Sequence, residues 1–263
     1  MVTHRGVDTT QEPVTAQAED VELVAQLRHS PLREAALLAG LFVLYSLTRL
    51  VASDDLRVAL LHARDVLHLE RLLHLDVESS LNLALSRLPM VEVAASYWYA
   101  VLHYLVTPAV LVLVYRFRPA HYRSSRTALV VATGAALACY LAFPTAPPRF
   151  VVGYTDVLAR TAEYGWWAGQ GAAIKGAAGM VNQLAAMPSM HVGWAVWCAL
   201  ALSRMATARW QRVLVWSYPT VTFLVVVATA NHWFLDAVAG AALVAITWVL
   251  THVGPLASRS ARA

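Results

Sequence analysis

Two short segments of the sequence carry side chains suited to nucleophilic chemistry. His232 and Asp236 lie four residues apart, which puts imidazole and carboxylate on one face of a helix if a helix begins there. The carboxylate would then hold the ring in one tautomer, so we predict His232 as a nucleophile and Asp236 as its orienting residue. Upstream, Pro188 and Ser189 are typical of a helix start and place His191 in the first turn, where free N–H groups favour an anion.

Two histidines with a carboxylate, an arginine and a helix N-terminus suit phosphoryl transfer. That reaction needs a nucleophile, a proton for the leaving oxygen and positive charge for the nonbridging oxygens. In this hypothesis His232 attacks phosphorus to give a phosphohistidine, and His191 protonates the leaving group and later deprotonates the acceptor. Arg149 is the predicted phosphate clamp because its planar fork matches phosphate. Ser189 and Asn231 are further predicted phosphate donors.

Other interpretations of these residues stay open at this stage. Two histidines and an aspartate could ligate zinc, although no further close ligand pair is evident, and we predict neither a metal nor a cofactor. His103 lies on an apolar stretch, and we interpret it as a structural side chain. A transporter that relays protons would need ionisable residues through its spans, which are not evident apart from His103. A noncatalytic membrane scaffold is the remaining alternative.

The composition predicts that an all-α, polytopic membrane protein positions these residues. Of 263 residues, 59% are hydrophobic and 14% are charged, and apolar runs of about 20 residues match a hydrocarbon core ~30 Å thick. The net charge of +4 comes with arginines clustered between the apolar runs, the pattern of topology signals, so nucleic-acid binding is not expected. Cys139 and Cys198 fall inside apolar runs and are interpreted as small core residues.

Six spans connected by shorter segments are predicted for residues 31–253. The remaining residues form an N-terminal tail, 1–30, without a cleavable signal peptide, and a C-terminal tail, 254–263. The predicted spans are approximately residues 34–51, 91–115, 127–143, 191–205, 213–230 and 232–250.

The connections between the spans have distinct characters. In residues 53–88 leucines recur three and four apart among charged residues, which predicts one or two amphipathic helices along the membrane interface, either a platform beside the site or a structural belt. Residues 116–126 are predicted as a basic loop. Three prolines in residues 144–148 predict an extended turn that presents Arg149 at the membrane surface. Residues 150–186 are long enough to cover the site.

The arginine distribution predicts the orientation of the chain. Short basic connections mark the cytoplasmic side, so both termini are predicted to be cytoplasmic and the histidine site to be extracytoplasmic in the cell membrane. The arginines assigned to the cytoplasmic side are Arg5, Arg28, Arg33, Arg116, Arg118, Arg123, Arg126, Arg204, Arg209, Arg212, Arg259 and Arg262.

The two motifs together resemble those of the type 2 phosphatidic acid phosphatase superfamily. Pro188-Ser189-Met190-His191 is followed 41 residues later by His232 with Asp236. Residues 143–149, MPSMHVGWAVW and ATANHWFLDAVAG most resemble the branch that contains inositol phosphorylceramide synthases and many actinobacterial proteins. The resemblance covers residues 90–250 and implies six spans, a histidine nucleophile and a lipid-linked phosphate as substrate.

Two positions depart from the pattern of the superfamily. Its members carry a lysine seven residues before an Arg-Pro pair. In this chain the Arg-Pro pair at Arg118 lies on the predicted cytoplasmic side, and Leu111 stands seven residues before it. Its members also carry an arginine six residues before the nucleophile, where this chain has Val226. The resemblance therefore leaves Arg149 as the phosphate-binding arginine.

Fewer cations suit a phosphodiester with one negative charge better than a phosphomonoester with nearly two. We therefore predict a lipid phosphatase or phosphotransferase, with inositol-phosphate headgroup transfer slightly favoured. Lys175 or Arg160 in the covering loop could supply further charge, and the acceptor, water or an alcohol, stays open. The oligomeric state is not predicted.

Overall fold

The structure is a computed structural model that describes residues 30–51, 55–165, 167 and 183–253. The described residues form ten α-helices and no strand, which confirms the all-α class. The predicted tails lie outside the described residues, apart from Ser30. The helices are α1 (Pro31–Val51), α2 (Leu56–Leu72), α3 (Glu78–Leu85), α4 (Pro89–Tyr97), α5 (His103–Phe117), α6 (Pro119–Ala142), α7 (Val157–Arg160), α8 (Met190–Ser203), α9 (Arg209–Ala228) and α10 (Phe234–His252).

Four helical segments among the described residues are long and apolar enough to cross a membrane, which agrees with the predicted class of membrane protein. A π-helical turn, Trp98–Leu102, joins α4 and α5 into one segment of 29 residues, and the other three are α6, α9 and α10. Helix α8 is apolar but has only 14 residues, a length of about 21 Å. The count of six spans therefore stays a prediction.

The predicted basic loop at residues 116–126 is wrong, because most of it is helical. Helix α5 ends at Phe117 and α6 begins at Pro119, with Arg118 between them at φ −139° and ψ 55°. A residue before proline is driven out of the helical region, and proline itself suits the first position of a helix. The break is therefore one residue long, and the later arginines lie on α6.

A buried polar cluster attaches α1 to α6. Arg126 Nη1 lies 2.5 Å from Glu34 Oε1, and the Tyr122 hydroxyl donates to Glu34 Oε2 at 3.0 Å. Both carboxylate oxygens of Glu34 are thus satisfied, as a buried charge requires.

The short helix α8 lies at the centre of the bundle, packed against α5, α6, α9 and α10. It is apolar on all sides, as expected of an enclosed helix, and Ala195, Trp197 and Ala199 are fully buried. Its N-terminal residues are consequently held from several directions.

Helices α8 and α10 come closest at two glycines, Gly193 and Gly240. A Cβ atom on Gly240 would lie 2.0 Å from the carbonyl oxygen of Ser189, and one on Gly193 would lie 3.1 Å from the carbonyl oxygen of Gly240. No side chain fits at Gly240 unless the backbone before α8 moves.

We expect Gly240→Ala to destabilise the protein, since overpacking costs about 1–3 kcal/mol and here the neighbour is backbone. Thermal unfolding in detergent should show a Tm lowered by about 5 °C or more. Gly134→Ala on α6 is the matched control, because a Cβ there meets no atom within 4 Å. Equal melting of the two variants would contradict the close approach.

The amphipathic segment folds as two helices, α2 and α3, as predicted, and their place along the membrane interface stays a prediction. Asp55 caps α2 by accepting from the N–H groups of Arg57 and Val58 at 2.9 and 3.2 Å. The buried face of α2 consists of Ala59, Ala63, Val66 and Glu70. This face contacts α10, so the two short helices form a platform beneath the start of α10.

Candidate active site

The two predicted histidines lie side by side at one end of the bundle. Ser189 occupies the cap position before α8, and His191 is the second residue of that helix. The ring centroids of His191 and His232 are 5.5 Å apart. The backbone N–H of Ser189 donates to the carbonyl of Asp236 at 2.8 Å, so a main-chain hydrogen bond joins the two motifs directly.

The orientation of His232 differs from the sequence prediction. Its Nδ1 lies 2.9 Å from the carbonyl oxygen of Ala186 and 3.7 Å from Asp236 Oδ2. Because a carbonyl only accepts, this hydrogen bond assigns the proton to Nδ1 and leaves Nε2 as the basic nitrogen. The tautomer is therefore set by a main-chain carbonyl, with the carboxylate as a nearby charge.

Asp236 is held by the start of its own helix. Helix α10 begins at Phe234, two residues after His232, so the predicted helical start at His232 is wrong. Asp236 Oδ2 accepts from the N–H of Trp233 at 2.8 Å. The carboxylate is thus committed to capping the helix and reaches His232 only at the longer distance.

Four buried polar atoms at this site lack hydrogen-bond partners among the described residues: His232 Nε2, Ser189 Oγ, Asp236 Oδ1 and His103 Nδ1. The exposed fractions of His232 and Ser189 are 4% and 0%. Buried polar atoms are nearly always paired, so unpaired ones at one place indicate a site for a polar ligand. His232 Nε2 would meet such a ligand as a base, and Ser189 Oγ would meet it as a hydrogen-bond donor.

Arg149 is largely buried within the protein, and its predicted place at the membrane surface stays a prediction. Its side chain is 14% exposed, its Nη1 donates to Asn231 Oδ1, and its Nε lies 3.9 Å from Asp156. The backbone N–H of Arg149 donates to the carbonyl of Ala230 at 3.0 Å. The proline-rich segment folds back onto the His232 loop, and this brings the guanidinium to Asn231.

Asn231 contacts Arg149 as an acceptor, so its predicted use as a phosphate donor is not favoured by this geometry. Its Nδ2 donates to Thr229 Oγ1 at 2.9 Å and to the Thr229 carbonyl at 3.3 Å. The preceding residue, Ala230, has φ 57°, a left-handed conformation that costs a non-glycine residue about 1 kcal/mol. This turn directs the Ala230 carbonyl and the Asn231 amide toward Arg149.

Sequence reasoning missed the aromatic surroundings of His191. The ring of Tyr99 stacks on His191 with centroids 4.2 Å apart, and His103 contacts it edge-on at 4.3 Å. Tyr99 lies in the π-helical turn and His103 follows it directly; such turns are frequent at functional sites. The sequence interpretation treats His103 as a lone histidine, whereas the structure places it in a cluster with the other two.

Sequence reasoning also missed two carboxyl groups that cap α10. Glu78 Oε1 accepts from the N–H of Phe234 at 2.8 Å, and Glu70 Oε1 accepts from the N–H of Leu235 at 2.7 Å. Burial raises the pKa of both groups, and for Glu70, which also faces the negative charge of Glu78, it reaches about 9. The sequence does contain a signal that Glu70 is buried, because it continues the helical spacing of the buried Ala59, Ala63 and Val66.

The predicted covering loop is described over residues 150–165, 167 and 183–186. Tyr154 packs edge-on against Trp233 at 5.8 Å, and burial raises the pKa of its hydroxyl to about 12. Arg160 lies 3.4 Å from Glu92, so this candidate source of extra charge is already paired. Lys175 lies outside the described residues.

Within the described ranges no group of three His, Cys, Asp or Glu side chains is arranged to hold a metal ion. The zinc alternative therefore gains no support from the geometry of His191, His232 and Asp236. The arrangement instead combines two imidazoles, a carboxylate, a hydroxyl and a guanidinium.

Comparison with known proteins gives one match, which covers most of the chain. A family model described as the PAP2 superfamily matches residues 64–250, which include every predicted site residue. No curated protein and no solved structure matches the chain.

Proposed function

The chain belongs to the PAP2 superfamily, and on that premise we propose that it is an integral membrane lipid phosphatase or phosphotransferase that acts through a phosphohistidine. The observation that carries the proposal is the hydrogen bonding of the two ring nitrogens of His232. Its Nδ1 is engaged by the Ala186 carbonyl, and its Nε2 is buried without a partner in the described part of the chain.

In the proposed reaction His232 Nε2 attacks the phosphorus of a lipid-linked phosphate. The bond from phosphorus to the leaving oxygen breaks, and His191 gives a proton to that oxygen. An acceptor hydroxyl then loses its proton to His191 and attacks the phosphohistidine, which returns both histidines to their starting states. Asp236, 3.7 Å from His232 Nδ1, stabilises the positive charge that develops on the attacking ring.

The nonbridging oxygens would be held by the Arg149 guanidinium, the Ser189 hydroxyl and the first N–H groups of α8. The contact of Arg149 with Asn231 directs the guanidinium and leaves other N–H groups of the fork for phosphate. The described residues provide this one arginine beside the histidines. That supports a phosphodiester over a dianionic monoester, and with it transfer of a headgroup such as inositol phosphate to an alcohol.

We expect Arg149→Lys to lower kcat/KM by about 10- to 100-fold, because lysine keeps the charge but cannot donate as a planar fork. Steady-state kinetics on purified protein would measure this. Arg87→Gln, which removes an exposed arginine on the platform, is the control. An unchanged kcat/KM in Arg149→Lys would exclude a forked phosphate contact.

The proposed topology has six crossings, with α1 and α8 added to the four long segments. Both termini are then cytoplasmic and the histidine site is extracytoplasmic. A short α8 would set His191 below the membrane surface, close to the phosphate of a lipid rather than to bulk water.

The test is an assay of purified protein with phosphatidic acid, isoprenyl diphosphate and phosphatidylinositol, each with and without inositol or ceramide. Mass spectrometry would follow free phosphate and new lipids. Phosphate release without a new lipid indicates a phosphatase, and a new phosphodiester lipid without phosphate release indicates headgroup transfer. Neither product, with His232→Ala identical to the wild type, would contradict the proposal and leave the transporter and scaffold alternatives.

A further inference from the structure

Glu70 and Glu78 form a pair of buried carboxyl groups under the start of α10. Both side chains are fully buried, and each uses Oε1 to accept a backbone N–H of α10. Their Oε2 atoms receive no N–H or O–H donor from any other described residue. The two side chains are within hydrogen-bonding reach of each other.

Two carboxylates cannot hydrogen-bond to each other unless one of them carries a proton. Glu70, whose pKa is raised to about 9, is therefore the protonated partner at neutral pH, and Glu78 accepts from it. The groups that interact electrostatically with the pair are Asp236, Asp76 and Tyr154, and Arg71 faces Asp76 and Tyr154. Tyr154, with a pKa near 12, does not titrate in this range.

The pair completes the capping of the helix that carries Asp236. The N–H groups of Trp233, Phe234 and Leu235 donate to Asp236, Glu78 and Glu70 in turn. His232 immediately precedes these three residues. A shift of this end of α10 moves both Asp236 and the His232 ring relative to the Ala186 carbonyl.

We propose that Glu70 and Glu78 are positioning residues that hold His232 and Asp236 in place through one shared proton, and that loss of this proton at alkaline pH releases the α2–α3 platform and stops turnover. The catalytic part of this inference rests on the proposed function. The structural part concerns the start of α10 and stands independently of it.

The physical reason is charge. With the proton present, the buried pair carries one negative charge, which suits a helix N-terminus. Without it, two adjacent buried carboxylates also face Asp236, and their repulsion is weakly screened. The folded-state pKa of Glu70 lies above its ordinary value, so at a pH between the two values the folded protein holds a proton that the unfolded chain has released. Stability therefore falls as the pH rises toward about 9.

Glu70→Gln is the decisive variant, because its amide keeps an oxygen for Leu235 and replaces the shared proton by a permanent N–H donor to Glu78. We expect turnover at pH 7 within about threefold of the wild type. The wild type should lose Tm as the pH rises from about 6 to about 9, and it should lose kcat around pH 9, where Glu70 gives up its proton in the folded protein, while Glu70→Gln keeps both. Glu70→Ala should lose at least about tenfold in kcat at every pH.

Asp76→Asn is the matched control, since it removes an exposed carboxylate close to the pair that caps no N–H of α10, and it should keep the alkaline loss of the wild type. An identical alkaline profile of Glu70→Gln and wild type would overturn the inference. So would a folded Glu70→Gln that is inactive at pH 7, because the shared proton would then not exist.

Two readouts separate this inference from the proposed function. The pH dependence of Tm needs no substrate, so a wild-type loss that Glu70→Gln abolishes supports the shared proton even if no lipid is turned over. If the enzyme is active, phosphoenzyme formation should fall around pH 9, where Glu70 loses its proton in the folded protein, whereas Tm already falls below that pH. A Tm that responds to pH while phosphoenzyme formation does not would overturn the positioning role.

Discussion

Replacing His232 by alanine should abolish both turnover and the phosphoenzyme. The imidazole is the proposed nucleophile, and its Nε2 is a buried nitrogen without a partner among the described residues. His191, 5.5 Å away between ring centroids, is stacked against Tyr99 and cannot take over the attack without leaving that position. We expect kcat to fall by at least about 10⁴-fold, the scale seen when a catalytic nucleophile is removed.

The measurement uses a substrate labelled at phosphorus and a quench with SDS at alkaline pH, followed by detection of protein-bound phosphate that is stable to base and released by acid. His68→Ala, which removes an exposed histidine of α2, should label and turn over like the wild type. His191→Ala should slow both steps but leave the attacking nitrogen in place, so residual labelling is expected there. Turnover of His232→Ala near the wild-type rate would refute the assignment of the nucleophile.

Asp236→Asn should lower kcat by about 10²- to 10³-fold and leave the fold intact. An asparagine oxygen can still accept from the N–H of Trp233, so the cap of α10 survives. The tautomer also survives, since the Ala186 carbonyl accepts from His232 Nδ1. The substitution removes a negative charge 3.7 Å from a ring that becomes positive in the reaction. At a partly screened site the attraction between these two charges is worth a few kcal/mol.

Kinetics and thermal unfolding would be measured together for this variant. The Tm should change little, as it should for the control Asp65→Asn on the exposed face of α2, whereas kcat falls only in Asp236→Asn. A loss as large as that of His232→Ala would mean that Asp236, and not Ala186, sets the tautomer. Full activity would remove Asp236 from the mechanism.

The amino-acid sequence by itself determined the class of the protein and the residue types of its site. Apolar runs and proline positions are local signals, and they located α9, α10 and the segment of α4 and α5 to within a few residues, whereas the start of α6 was predicted too late in the chain. The spacing of His232 and Asp236 is also a local signal, because it involves residues close together in the sequence. The helical periodicity of residues 53–88 predicted the amphipathic platform for the same reason.

Only the tertiary structure decided how these residues are held, because the partners are main-chain atoms and side chains distant in sequence. The carbonyl of Ala186 orients His232 from 46 residues away, and Glu70 caps Leu235 from 165 residues away. A backbone carbonyl has no signature in the sequence, and a buried carboxyl on an amphipathic helix looks like a surface charge. Which carbonyl meets the ring, and which acid meets a free N–H, depends on how the helices pack.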